Sequence, residues 1–216
     1  MNIVYTDSHI AVVNKGFGEI SEIPEKEEKG AVYTPLLLRE TLGGEIYTVH
    51  RLDRTTEGLM VYARTKEAAA ALSRQGVLEK VYIAAVQGEP EAESGEMRDY
   101  LYFDRRKGKS FPADKKRSGT KEALLRYGRI GTAETRWGSV SLMRVALMTG
   151  RTHQIRVQFA SRGMPLLGDG KYGSRANYKG CALFSAELRF MHPGTGERME
   201  FRADPVFGFA EAEKTE

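Results

Sequence analysis

The sequence predicts an α+β fold on a mixed, mainly antiparallel β-sheet. Strand signals outnumber helix signals, glycine and proline turns break the chain at short intervals, and 216 residues suffice for one domain with a real core. The first apolar run, Ile10–Asn14, reads as a short strand, and the Gly- and Glu-rich residues 16–30 read as a loop. Thr34–Thr41 predicts a helix with Thr34 as its cap and Pro35 at its first position. Ile46–Val49 is extended and leads into His50-Arg51-Leu52-Asp53, after which Gly58–Ala63 predicts a buried strand. Thr65–Gln75 predicts a second helix, capped by Thr65 and rich in alanine. Lys80–Gln87, Glu122–Arg129 and Ser139–Leu147 are strands, the first closed by Gly88 and Pro90. Gly150 breaks the chain before a third helix at Thr152–Ser161. Ala182–Phe190 alternates like a strand, His192-Pro193-Gly194 turns, and Arg198–Phe201 returns.

Composition excludes several classes. No apolar stretch approaches the roughly 18 residues of a membrane span, and the N-terminus lacks a basic region followed by an apolar block. A lone cysteine, Cys181, rules out an internal disulfide and suits a cytoplasmic location. Four scattered histidines and one cysteine give no metal-ligand spacing, so no metal is expected, and His9, His50 and His192 read as structural.

The net charge of +4 is a weak signal, but its distribution is uneven. Between Arg98 and Arg129 there are eleven Lys and Arg against four Asp and Glu, a local net of +7. Such a stretch is either a solvated loop or a phosphate-contacting arm. Interleaved Tyr100, Tyr102, Phe103 and Phe111 favour the arm, because aromatic rings stack on unpaired bases. Glu19–Glu28, with five Glu and one Lys, should face away from a polyanion.

Three segments carry candidate chemistry. In HRLDRTTEG at 50–58, Asp53 stands between two arginines on a strand-to-strand connection. Arg51 and Arg54 can bind phosphate and favour an ionised Asp53, which can then act as nucleophile or base. Taken alone, such an Asp more often closes its own turn. Around 149–162, Arg151, Thr152, His153 and Gln154 would gather at a helix start that attracts anions, with Arg156 and Arg162 extending a basic side and Ile155 and Phe159 facing the core. An ordinary amphipathic helix with a solvated basic face reads equally well. Lys80 and Tyr82 share one face of a strand, where a tyrosine packs, stacks on a base or handles a proton.

Together these segments resemble the RluA-type pseudouridine synthase family. HRLDRTTEGL at 50–59, EKVYIAAVQG at 79–88, TGRTHQIRVQ at 149–158 and ALFSAELRFMHP at 182–193 are similar to family motifs in the same order, as is the opening IVYTDSHIAVVNKGFG, so the likeness spans roughly residues 2–202. It implies a pseudouridine synthase fold: a sheet in two halves with flanking helices and a central active-site cleft. It implies isomerisation of uridine to pseudouridine in ribosomal or transfer RNA, without cofactor or metal. Asp53 falls on the catalytic carboxylate, Tyr82 on the tyrosine that stacks on uracil and serves proton removal at C5, and Arg151 on the basic partner of the carboxylate. Asp53 then has three available roles: attack at C1′, addition to C6, or proton removal at C2′. Arg51, Lys80, His153, Gln154, Arg156 and Leu183 complete a substrate-binding set, Arg51 steadying the extruded nucleotide and Leu183 packing under the site.

Glu57, Gly16, Gln158 and Phe184-Ser185 depart from the family pattern, which bears on substrate identity more than on the reaction. The expected organisation is a single catalytic domain over residues 1–216, acting as a monomer, without an N-terminal S4-type RNA-binding domain and with 98–129 as its basic arm. Two other functions fit parts of the pattern. A glycosidic-bond hydrolase would need a second carboxylate, for which Glu57 is the nearest candidate. A non-catalytic RNA-binding or ribosome-assembly protein could keep the same fold.

Overall fold

The computed structural model describes residues 1–74 and 76–208. In chain order its elements are β1 (Asn2–Thr6), β2 (Ile10–Lys15), α1 (Thr34–Leu42), β3 (Tyr47–Thr48), β4 (Glu57–Ala63), α2 (Lys66–Leu72), β5 (Glu79–Gln87), β6 (Ser94–Asp104), β7 (Lys109–Ala113), β8 (Lys121–Thr135), β9 (Gly138–Leu147), α3 (Gln154–Ala160), a 3-10 turn at Gly170–Tyr172, β10 (Leu183–Met191) and β11 (Arg198–Arg202). The α+β class stands. The chain forms two compact units. The first comprises Met1–Lys80 and Phe184–Pro205; the second comprises Val81–Leu183 and, of the described residues beyond 205, 206–208. Among the described residues no helix is long and apolar enough to cross a membrane.

In the first unit the strands run β1-β2-β4-β10, with β3 added to β4 and β11 to β10. All these pairs are antiparallel except β4 with β10, which is parallel through Glu57–Phe184 and Gly58–Ser185. Ile10, Val12, Leu59, Val61 and Ala63 point to one side and pack on Ala68 and Leu72 of α2. The intervening Val13, Met60 and Tyr62 are also fully buried. Both faces are covered, which is why these strands read as continuous apolar runs and not as alternation. Gly58 makes the parallel pairing possible. Its φ of 114° is open to glycine, and a Cβ there would lie 2.4 Å from the Ser185 carbonyl oxygen.

The helices differ from expectation at their ends. Thr65 caps α2 as predicted, its hydroxyl accepting from the Ala68 amide at 3.1 Å. The expected last residue of that helix, Gln75, lies outside the described residues, and α2 ends at Leu72. Tyr33, not Thr34, is the cap position of α1, because the Thr34 hydroxyl donates to Glu19 at 3.2 Å.

The strands of the second unit run in the order β5-β9-β8-β6-β7, with the β9-β8, β8-β6 and β6-β7 pairs antiparallel. β6 and β7 form a hairpin and, with the start of β8, account for most of residues 98–129, so this basic segment is largely strand. α3 is buried from Gln154 through Phe159. Phe159 meets Tyr127 edge-on at 5.8 Å, and Val157 packs with Leu101, Ala123 and Tyr172. A solvated basic face on this helix is therefore corrected. Arg156 is only 7% exposed and holds Asp169 through two hydrogen bonds of 2.7 and 2.8 Å. Its buried charge is matched, as burial requires.

Candidate active site

Asp53 belongs to a turn closed by its own carbonyl, which accepts from the Thr56 amide at 3.0 Å. The loop before α1 holds its two neighbours. The Ser21 hydroxyl accepts from the Leu52 amide at 3.1 Å and donates to the Leu52 carbonyl at 2.8 Å. Ser21 is itself pinned by the Tyr62 hydroxyl, which donates to its carbonyl at 2.9 Å. On the other side, the Gly18 amide donates to the Arg54 carbonyl at 2.9 Å, and Arg54 Nε returns to the Gly18 carbonyl at 3.2 Å. Asp53 is thus the residue between two straps, on a backbone with little freedom to turn.

The charges around this turn are ordered. Lys15 ends β2 fully buried, donating from Nζ to the Gly16 and Glu19 carbonyls at 3.0 and 2.9 Å. Burial pushes its ammonium down to about 8, against the pull of Glu19, Glu57 and Asp53. Burial also lowers Lys80. His50 accepts from the Val61 amide at 3.1 Å through Nε2, and burial, then the charge of Lys80, pushes it down to about 3. It is a neutral structural ring, as expected. Arg51 pairs with Glu22, and Arg54 with Glu28 at 2.9 Å. The acidic loop therefore lies on the two arginines that flank Asp53.

Arg51, Asp53 and Lys80 fall in the first unit; Tyr82, Arg151, His153, Gln154, Arg156 and Leu183 fall in the second. Tyr82 is 5% exposed on β5, and Leu183 is buried at the start of β10. Arg151 donates from Nε to the Glu122 carbonyl at 2.8 Å. Gln154 builds the turn that carries it. Its Oε1 accepts from the Arg151 amide at 3.0 Å and the Thr149 hydroxyl at 2.8 Å, while Nε2 donates to the Leu124 carbonyl at 3.1 Å. His153 has a φ of 55°, the one positive value among non-glycine described residues, and its Nδ1 lies 3.0 Å from the Tyr172 hydroxyl. Gln154 and Arg156 thus stand inside the unit, Gln154 holding the Arg151 turn and Arg156 pairing with Asp169.

Two family departures are also internal. Gln158 is buried and bonds Asp99 Oδ2 at 2.7 Å and the Met97 carbonyl at 3.1 Å. Ser185 is buried and donates to the Leu59 carbonyl at 2.9 Å. Both side chains are spent on bonds within the fold.

One grouping has metal-ligand chemistry that spacing did not reveal. Asp7, His9 and His192 bring candidate ligand atoms within 4.8 Å of one another. His192 Nε2 lies 2.8 Å from Asp7 Oδ2, and its Nδ1 accepts from the Gly194 and Thr195 amides. Asp7 Oδ1 accepts from the His9 and Ile10 amides. These bonds engage both ring nitrogens of His192 and both oxygens of Asp7, and they tie the β1–β2 turn to residues 192–195.

Residues 9–161 match the family described as RNA pseudouridylate synthase. The dual-specificity RNA pseudouridine synthase RluA of Escherichia coli O157:H7 is 36% identical over 218 residues, covering 95% of this chain and 93% of that one. The tRNA pseudouridine synthase C of Yersinia pestis is 31% identical, with 94% and 86% covered. Longer relatives also match, this chain spanning 66% and 69% of two of them. The structure of Human RNA Pseudouridylate Synthase Domain Containing 1 has the same fold, with a TM-score of 0.77 at 23% identity over 94% of this chain and 83% of that one.

Proposed function

The chain belongs to the RNA pseudouridylate synthase family, and on that premise we propose that Asp53 is the carboxylate through which it isomerises uridine to pseudouridine in RNA. The N1–C1′ bond breaks, the base turns, and a C5–C1′ bond forms. The proton on C5 leaves and N1 gains one, so the product is an isomer of the substrate. No electrons enter or leave, and no redox cofactor has a part in the scheme. A stacked or paired uridine must first leave its helix, at a cost of a few kcal/mol. Arg51 offsets part of that cost by holding the extruded nucleotide, with Lys80 and His153 as further contacts. Tyr82 stacks on the uracil and serves proton removal at C5, Arg151 supplies positive charge for the reacting carboxylate, and Leu183 packs beneath the base.

The observation that carries this reading is the pair of straps from Gly18 and Ser21, which hold Arg54 and Leu52 and leave Asp53 between them. A carboxylate that must meet one carbon atom benefits from such preorganisation. Ribosomal and transfer RNA are the proposed substrates, because the relatives' names include a dual-specificity and a transfer-RNA enzyme. A cytoplasmic, monomeric protein goes with this proposal.

Tritium release from RNA labelled at C5 of uridine tests it, using unmodified transfer and ribosomal RNA with wild type and Asp53→Ala. Release by wild type alone supports the assignment, and release by Asp53→Ala refutes it. No release by either protein would favour a non-catalytic RNA-binding role.

A further inference from the structure

The basic segment divides into two zones. Near the sheet, Arg98, Arg126 and Arg129 are neutralised by Glu122, Glu96, Glu93 and Glu89. At the hairpin tip, Arg105, Arg106, Lys107 and Lys109 lie in or beside the turn, with Lys115, Lys116 and Arg117 in the next one. None of these seven has a carboxylate partner among the described residues. Asp104 Oδ1 is occupied instead by the Arg106 and Lys107 amides, which it holds in the turn.

Some of these cations lie on aromatic rings. Tyr102 and Phe111 are cross-strand partners, stacked at 5.5 Å with planes 21° apart. Lys107 and Lys109 sit 5.4 and 5.5 Å from the Phe111 centroid, and Arg117 sits 5.4 Å from that of Tyr102. Both rings are half-buried. Cations resting on partly exposed rings are weakly held and readily give up the ring for phosphate oxygens. When they leave, the ring faces they covered become available to bases.

We infer that the Tyr102–Phe111 pair with Lys107, Lys109 and Arg117 is a platform for unpaired RNA nucleotides, the rings taking bases and the cations taking phosphates. Duplex RNA presents phosphates and 2′-hydroxyls but keeps its base faces stacked, so it would leave the rings idle. The platform rests on the reading of this protein as an RNA-modifying enzyme and narrows its substrate to uridines flanked by unpaired residues. It is also fixed to the Arg151 turn. The Ser110 hydroxyl donates to the Thr152 carbonyl at 2.6 Å, and the Ser110 amide donates to the Tyr172 hydroxyl at 2.8 Å, which lies 3.0 Å from His153. Burial pushes the Tyr172 phenol up to about 12, so it keeps its proton at neutral pH. RNA gripped by the platform is thereby held in one frame with Arg151.

Equilibrium binding of a fluorescent 12-nucleotide oligouridylate and of a 12-base-pair RNA duplex tests the platform at two salt concentrations. Tyr102→Leu/Phe111→Leu should weaken oligouridylate binding about tenfold, or ~1.4 kcal/mol. It should leave duplex binding within about twofold and the salt slope unchanged. Lys107→Ala/Lys109→Ala/Arg117→Ala should instead flatten the slope by about 2. Tyr102→Phe/Phe111→Tyr keeps both rings and should bind as wild type, which separates loss of stacking from loss of fold. Equal loss on both RNAs, or no loss on oligouridylate, overturns the platform. Neither outcome bears on tritium release, which alone decides whether the protein isomerises uridine.

Discussion

Replacing Ser21 with alanine removes both hydrogen bonds that hold the residue before Asp53. Ser21 is 3% exposed and Leu52 is 6% exposed, so water does not readily replace the lost partner. A buried amide left without an acceptor costs about 1–3 kcal/mol. In a chain of this size each kcal/mol lowers Tm by about 2–4 °C, so a fall of about 4–8 °C is expected for a loss near 2 kcal/mol. The larger effect should be on turnover. A shift of about 1 Å in a reacting group can cost 100-fold in rate, and a slackened Leu52 lets Asp53 move by that order. Single-turnover tritium release at saturating enzyme, beside RNA affinity and thermal melts, separates the effects. The reaction rate should drop by one to two orders of magnitude while RNA affinity stays within about threefold. Ser21→Thr, which keeps a hydroxyl, should recover most of the rate. If Ser21→Ala melts lower but reacts at the wild-type rate, the strap stabilises the fold without positioning Asp53.

Glu22→Gln combined with Glu28→Gln frees Arg51 and Arg54, both in exposed ion pairs, and should tighten RNA binding about threefold to tenfold with a steeper salt dependence; unchanged filter-binding curves would mean that neither arginine meets phosphate. Lys15 has a folded pKa of about 8 against an ordinary 10.5, so folding releases its proton more readily and stability should rise with pH across that window. Urea unfolding should therefore show wild type gaining up to about 3 kcal/mol on Lys15→Met between pH 8 and pH 10.5, and a constant gap would contradict the burial of a charged ammonium. Gly58→Ala places a methyl 2.4 Å from the Ser185 carbonyl oxygen in a φ region closed to alanine, so it should cost several kcal/mol or abolish soluble expression; a wild-type melt would rule out the close β4–β10 approach.

Much of the first unit was legible in the sequence because β2 and β4 are apolar on both sides and stand out as unbroken runs. β6 and β7 were not. Their inward residues, Met97, Leu101 and Ser110, alternate with Tyr100, Tyr102, Lys109 and Phe111, so outward positions look as apolar as inward ones and the period of two is lost. Asp53 was legible as part of a motif, but the straps that hold it were not, since Ser21 and Leu52 are 31 residues apart and Ser21 sits in an unremarkable polar loop. Arg156 misled for a related reason. A charged residue on a short helix reads as solvent-facing until its partner, Asp169, is known, and that partner lies 13 residues on. Lys15 left a trace, a lone charge closing the run IAVVN before glycine, which in hindsight marks a buried cation with backbone acceptors at hand.

The parallel pairing of β4 with β10 also sets a timetable for synthesis. Leu59 and the Ser185 hydroxyl that bonds it are 126 residues apart. At ribosomal speeds of about 5–20 residues per second, the strand bearing Leu59 waits roughly 6–25 s for its neighbour. During that interval β4 has an open edge and an uncovered apolar flank, the state in which nascent chains recruit chaperones or stick to one another. The contiguous stretch Val81–Leu183 emerges inside the same interval. The Gly58–Leu59 edge of β4 therefore closes last, on a chain whose β6–β7 hairpin has already left the ribosome.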